Sequence, residues 1–168
     1  MASPPVDNDE AKRELALFRA EKLNELGNVE WSQSHYSEAQ KCYQEALNIF
    51  RAHGDRSGEC KALGALGTAF QRQGLLDQAI ECHTASIAIA QDIGNKRTQS
   101  FQLGNLGNIH QRQGQLDRAV ELYNQALSIS RDIGDRRNES SQLGNLGVVY
   151  EAIGQFSQAL DHHNRSLV

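Results

Sequence analysis

The chain has 168 residues, and 39% of them are apolar, which favours a folded chain over a disordered one. Its 17 basic and 21 acidic residues leave a net charge of −4 at pH 7, which argues against a general nucleic-acid or anionic-membrane binder, since such proteins are usually basic. No apolar run approaches the roughly 18 residues of a membrane span, and no signal-peptide core follows Met1, so we expect a cytoplasmic protein without a membrane partner.

Residues 1–8 are polar and contain both prolines of the chain, which predicts a flexible N-terminal tail. After the tail, apolar residues recur three and four positions apart, as Leu63, Leu66 and Phe70 do, and this spacing places them on one face of a helix. No segment alternates with period two over the length of a strand. The sequence therefore predicts an all-α chain with helices at 9–33, 37–53, 57–73, 77–93, 97–113, 117–133, 137–153 and 157–168.

The helical segments repeat with a period of 40 residues. A glycine recurs inside the first helix of each unit, an alanine follows twelve positions later, and another glycine ends three of the first helices. These markers are Gly27, Gly67, Gly107 and Gly147; Ala39, Ala79, Ala119 and Ala159; and Gly74, Gly114 and Gly154. They predict four helix-turn-helix repeats at about 17–56, 57–96, 97–136 and 137–168, forming one array over residues 9–168.

The glycines inside the helices call for an explanation, because each costs about 1 kcal/mol relative to alanine. We expect Gly67, Gly107 and Gly147 to face the small alanines of the second helices. Small residues on both sides would let two helix backbones approach closely.

The repeat resembles the tetratricopeptide repeat. The resemblance rests on three stretches, namely Leu66-Gly67-x2-Phe70…Ala79, Leu106-Gly107…Ala119-x3-Tyr123 and Leu146-Gly147-x2-Tyr150…Ala159. The unit of 40 residues is longer than the usual 34 and is similar to the longer repeats of Pins-type adaptors and kinesin light chains. The resemblance implies a right-handed α-solenoid of four repeats that acts as a non-enzymatic adaptor or scaffold for protein or peptide partners.

The resemblance also implies a concave groove lined by the first helix of each repeat. The ligand-facing residues that it implies on these helices are Lys61, Thr68, Arg72, Asn105, Asn108, Gln111, Arg112 and Asn145, and the same face carries Gln71 and Phe101. Carboxamides donate and accept hydrogen bonds and can therefore bind a peptide backbone, and arginines bind carboxylates bidentately. The predicted ligand is an extended, acidic peptide; the alternative is that these side chains only solvate an exposed face.

Enzymatic and metal chemistry find little support in the sequence. Three cysteines without a CxxC pair predict reduced, packed thiols. The neighbours Cys82-His83 and His162-His163 would point about 100° apart on a helix, so we expect no metal site. The GxxG pairs lie inside predicted helices rather than between a strand and a helix, which excludes a phosphate-binding loop. We therefore expect no catalytic residues and no cofactor.

A second hypothesis is a self-assembling structural module that associates through its repeat ends. Terminal repeats of a solenoid usually carry a polar outer face. Here Ile153, Leu160 and Leu167 lie in or beside the last predicted helix. Homo-oligomers formed through this C-terminal end are the expected consequence.

Overall fold

The computed structural model of the chain describes residues 8–166, and within that range it contains eight helices and no strand. The helices are α1 (Asn8–Ser32), α2 (Tyr36–Ala52), α3 (Arg56–Arg72), α4 (Leu76–Asp92), α5 (Lys96–Arg112), α6 (Leu116–Asp132), α7 (Arg136–Ala152) and α8 (Phe156–Ser166). The all-α prediction is confirmed, and each helix begins one residue before its predicted start. Of the predicted tail, residues 1–7 lie outside the described range, as do residues 167 and 168 of the last predicted helix.

The turns between repeats determine where α3, α5 and α7 begin. Gly94 has a φ of 69°, in the left-handed region that glycine adopts most readily. Asn95 follows as the N-cap of α5, and its side-chain oxygen accepts a hydrogen bond from the backbone N–H of Thr98 at 3.1 Å. Asp55 and Asp135 cap α3 and α7 in the same way. The recurring Gly-Asp/Asn pair therefore ends one repeat and starts the next helix.

The helices form two layers. Each helix packs on the next one along the chain, and the odd-numbered helices also contact one another between adjacent repeats, as α3 does with both α1 and α5. Within residues 8–166 no contact joins two even-numbered helices. The odd-numbered helices are therefore closer together and form the inner, concave layer of a solenoid.

The glycines that mark the repeat lie closest to rings of the second helices. A Cβ at Gly107 would stand 2.6 Å from Cε1 of Tyr123, and one at Gly67 would stand 2.8 Å from Cε1 of His83. The pairs Gly27–Tyr43 and Gly147–His163 repeat this arrangement. The predicted alanines are buried in the same helices as the rings, but the groups nearest to the glycines are the rings, for which the missing side chains make room.

We predict that Gly107→Ala lowers the free energy of unfolding by about 1–3 kcal/mol through overpacking. Tyr123 is fully buried and its hydroxyl is hydrogen-bonded to Asn108, so the ring cannot move away from an added methyl group. Urea-induced unfolding followed by circular dichroism measures the change.

Gly144→Ala is the matched control, because a Cβ at Gly144 would meet nothing within 4 Å. Replacing this helical glycine should raise stability by up to about 1 kcal/mol. If both substitutions change the free energy of unfolding by the same amount, contact with the Tyr123 ring is not what makes a larger residue unfavourable at position 107.

Candidate functional site

The concave layer carries a groove of roughly 850 Å³ between α3, α5 and α7. Three odd-numbered helices contribute to it because they lie side by side at this face. Its lining comprises Lys61, Gly64, Ala65, Thr68, Arg97, Thr98, Phe101, Gln102, Asp135, Arg137, Asn138 and Ser141. Two of the predicted ligand-facing residues, Lys61 and Thr68, belong to this lining. We refer to these twelve residues as the groove.

The groove is basic although the chain as a whole is acidic. Three cations, Lys61, Arg97 and Arg137, stand against one carboxylate, that of Asp135. Arg97 Nε lies 3.2 Å from Asp135 Oδ2, and Asp135 also caps α7 by accepting from the N–H of Asn138. Neither Lys61 nor Arg137 forms an ion pair within residues 8–166. The groove therefore attracts anionic groups.

A cluster of carboxamides lies on the same concave layer, towards the C-terminal half of α5. Asn145 Nδ2 donates to Asn108 Oδ1 at 3.3 Å, which joins adjacent repeats. The Tyr123 hydroxyl lies 2.7 Å from Asn108 Oδ1 and 2.8 Å from Gln111 Oε1, and its single proton serves one acceptor at a time. The structure thus brings together Asn108, Gln111 and Asn145, and it gives Asn108 a structural role that the sequence does not reveal.

Asn105 belongs to a second polar group, which is centred on Gln102. Gln102 is only 5% exposed, and its Oε1 accepts from His83 Nδ1 at 2.8 Å and from Asn105 Nδ2 at 3.2 Å. Its Nε2 lies directly over Gly64 of α3, in the space that a Cβ at this position would occupy. Through this contact a buried histidine of α4 determines the orientation of an amide in the groove.

Arg72 and Arg112 lie apart from the groove, at the C-terminal ends of α3 and α5. Both are exposed. The Arg72 guanidinium stands 5.9 Å from the ring centroid of Trp31, where it makes a cation–π contact. The structure therefore does not bring the two predicted arginines together with Lys61 and Thr68.

Sequence reasoning missed several residues of the groove, among them Arg97, Arg137 and Gln102. The signal is present in the repeat phase, because Arg97 and Arg137 are 40 residues apart, as are Gln102 and Gln142. The ligand-facing positions that the resemblance implies do not include them.

The residues that cover the glycines alternate between tyrosine and histidine along the four repeats. The tyrosines and His83 form hydrogen bonds with different partners. Tyr43 donates to Asn28 at 2.9 Å, as Tyr123 does to Asn108. In the second repeat the residue in phase with these asparagines is Thr68, and the ring is His83, which bonds to Gln102 instead. Burial lowers the pKa of His83 to about 4, an effect that the hydrogen bond to Gln102 partly opposes. His83 is therefore neutral at pH 7.

The thiols and the other titratable groups offer little catalytic chemistry. Burial raises the pKa of Cys60, and it raises the pKa of Cys82 to about 11, so both thiols are protonated and poorly nucleophilic at neutral pH. In the part of the chain that the structure describes, no three His, Cys, Asp or Glu side chains gather to hold a metal ion. Nor does that part contain a helix of the length and apolarity needed to cross a membrane.

Two layers of paired helices with a concave groove define a helical-repeat protein. The model of the tetratricopeptide repeat family matches residues 18–92 and 99–167. The chain belongs to this family, whose members generally act as protein-interaction modules and are generally not enzymes. A search of curated protein sequences finds no match.

Solved structures share the fold at low sequence identity. BtubC (BKLC) from P. vanneervenii is 21% identical with a TM-score of 0.80, over 94% of this chain and 70% of that one. Aspartyl phosphate phosphatase F from Bacillus subtilis is 13% identical with a TM-score of 0.86, over 90% of this chain and 40% of that one. MamA is 20% identical with a TM-score of 0.68, over 88% and 76% of the two chains. At these identities the likeness concerns the fold alone.

We predict that His83 makes the protein less stable as the pH falls from about 6.5 towards about 4. In this range the unfolded chain binds a proton at residue 83 that the native protein does not bind, so the free energy of unfolding decreases, by up to about 3 kcal/mol. Urea unfolding at pH 7 and at about pH 4.5 measures the loss.

The control is the double variant His83→Tyr with Thr68→Asn, which copies the Tyr43–Asn28 and Tyr123–Asn108 pairs. It should lose less stability on acidification than the wild type does. If the two proteins lose the same amount, His83 is not the group that titrates.

Proposed function

We propose that the chain is a non-enzymatic adaptor that binds an extended, acidic segment of a partner protein along its concave layer. The observation that carries this proposal is the basic groove between α3, α5 and α7. A surface of excess positive charge on an acidic protein favours an anionic ligand. The only carboxylate in the groove, Asp135, is already engaged in a helix cap and an ion pair, so the groove offers binding groups rather than an acid–base pair.

The amides of α5 and α7 suit the backbone of such a segment. Asn105 and Asn145 occupy the same position in adjacent repeats, and each donates its amide N–H to another carboxamide. Their Oδ1 atoms accept no hydrogen bond within residues 8–166. Neighbouring helices stand roughly 10 Å apart, about the length of three extended residues. Two asparagines one repeat apart can therefore accept N–H groups from one stretch of peptide.

The test uses degenerate peptide libraries that are rich in Asp and Glu, with a matched library in which Lys replaces the acidic residues. We expect fluorescence polarisation to show binding of the acidic library only. Asn105→Ala with Asn145→Ala should weaken binding by about 1–3 kcal/mol, the value of lost hydrogen bonds in a desolvated site. Alanine is compatible with the fold at this position, because Ala65 occupies it in α3.

The matched control is Asn124→Thr, which changes an exposed carboxamide on the outer helix α6 to the residue found in phase, Thr84. It should leave binding unchanged. If the acidic and basic libraries bind equally, or if the double alanine variant binds like wild type, the peptide does not bind along the concave layer as proposed.

Self-association through the repeat ends is the second candidate function. Leu26 is 47% exposed in α1, whereas the residues in phase with it in α3, α5 and α7 are at most 7% exposed because a preceding helix covers them. On α8, Phe156 and Leu160 are 71% and 63% exposed, whereas residues in phase on α4 and α6 are half-buried under a following helix. The exposed faces of α1 and α8 therefore correspond to the two surfaces that pack against each other wherever one repeat meets the next.

We expect light scattering after size-exclusion chromatography to show a mass that rises with concentration if this second candidate is correct. Leu160→Gln should shift the equilibrium towards monomer, and glutamine suits the position because Gln40 occupies it in α2. A protein that stays monomeric at all accessible concentrations would exclude assembly through these faces.

A further inference from the structure

We propose that the groove holds a phosphorylated serine or threonine of the bound segment, among the side chains of Lys61, Arg97, Arg137 and Gln102 that line it. This inference rests on the proposed function, because the phosphorylated residue belongs to the same segment that lies along the concave layer. It adds a ligand class that the basic character of the groove alone does not specify.

The charge of the groove matches a phosphate better than a carboxylate. Three cations against one carboxylate leave two positive charges in excess. A phosphomonoester carries about −1.5 to −2 at neutral pH and offers three acceptor oxygens, whereas a carboxylate carries one charge and two oxygens. Arg137 and Lys61 have no acidic partner in the described chain, and the planar guanidinium of Arg137 suits bidentate contact with phosphate.

Arg97 and Arg137 lie at helix positions where a positive charge is unfavourable. Arg97 and Arg137 are the second residues of α5 and α7, and the positive end of a helix dipole disfavours cations in the first turn. Arg56 and Arg136 also lie in first turns but contact Glu59 and Glu139 there. Arg137 has no such compensation, and a bound dianion between these helix N-termini would supply it.

Gln102 adds an oriented hydrogen-bond donor to the cations of the groove. The side chain is about nineteen-twentieths buried, and its Oε1 is held by two donors, His83 and Asn105. These bonds fix Nε2 over Gly64, where it donates to no acceptor within residues 8–166. Nε2 is not closed off from solvent, so an acceptor that enters the groove can reach its N–H groups. A phosphate oxygen in the groove would accept this hydrogen bond.

Phe101 predicts the residue next to the phosphorylated one. Its ring lies in the same groove and is 54% exposed. An apolar side chain of the partner would cover the ring and remove both surfaces from water. We therefore expect an apolar residue adjacent to the phosphorylated serine or threonine.

A peptide is favoured over a nucleic acid as the source of the phosphate. Nucleic-acid binders contact many phosphates along a strand through an extended basic surface. The groove holds a cluster of three cations within a molecule of net charge −4. Such a cluster suits a single phosphate.

The experiment compares three degenerate peptide libraries with phosphoserine, serine or glutamate at one fixed central position. We expect the phosphoserine library to bind at least about tenfold more tightly than the serine library, as charge-assisted contacts allow. Sequencing the retained peptides should show apolar residues beside the phosphoserine. A single-stranded RNA oligonucleotide serves as the competing phosphate source.

The variants use residues that the repeat already accepts. Arg97→Ser and Arg137→Ser introduce the residue present in phase at Ser57, and Phe101→Ser introduces that at Ser141. Each arginine variant should abolish most of the preference for phosphoserine over serine, and Phe101→Ser should abolish the preference for an apolar neighbour. The control Arg118→Gln removes one positive charge from the outer helix α6 and should change neither preference, since Gln78 occupies that position in α4.

The outcomes separate this inference from the proposed function. Equal binding of the phosphoserine and serine libraries, or a phosphoserine preference that survives both arginine variants, would overturn the phosphate site. Tighter binding of the RNA than of the phosphoserine library would overturn it as well. If the acidic libraries still bind and still depend on Asn105 and Asn145, the peptide-binding function stands without the phosphate site.

Discussion

A ring lying on a glycine joins the two helices of every repeat, and the rest of the structure depends on this contact. Gly27, Gly67, Gly107 and Gly147 each accommodate a ring from the second helix, which no larger residue would permit. The energy lost by placing glycine inside a helix is offset by burying a whole aromatic or imidazole side chain. The contact recurs every 40 residues, so it sets the same spacing in all four helix pairs.

The same contact connects the core to the concave layer. When the ring is tyrosine, its hydroxyl reaches the first helix and orients an asparagine there, as Tyr123 orients Asn108. When the ring is His83, the imidazole reaches forward to Gln102 of the next repeat. The amides of the concave layer are therefore held by buried groups, which reduces the conformational entropy that they would lose on binding.

The concave layer differs in character along the axes of its helices. At the starts of α5 and α7 the residues in phase are arginines, whereas α3 has Ser57 there. Further along these helices the layer carries amides, with Asn108 and Asn145 linked across repeats. One edge of the layer therefore presents cations, and the region beyond it presents neutral hydrogen-bonding groups.

The sequence by itself determined the number, type and approximate bounds of the helices, because these depend on local signals that recur four times. Glycine at a positive φ followed by Asp or Asn ends one helix and caps the next wherever the pair occurs. The sequence also indicated that Lys61, Thr68, Asn105 and Asn145 lie on the inner layer, since a residue's face follows from its position in the repeat.

Only the tertiary structure decided which side chains meet. The group nearest to Gly107 is the ring of Tyr123 rather than Ala119, and Asn108 is bound to that same tyrosine. Arg72 packs beside Trp31, whereas Arg97 and Arg137 enter the groove. The repeat period specifies the direction in which a side chain leaves its helix, but the curvature of the stacked helices and the lengths of the side chains determine which neighbour it reaches.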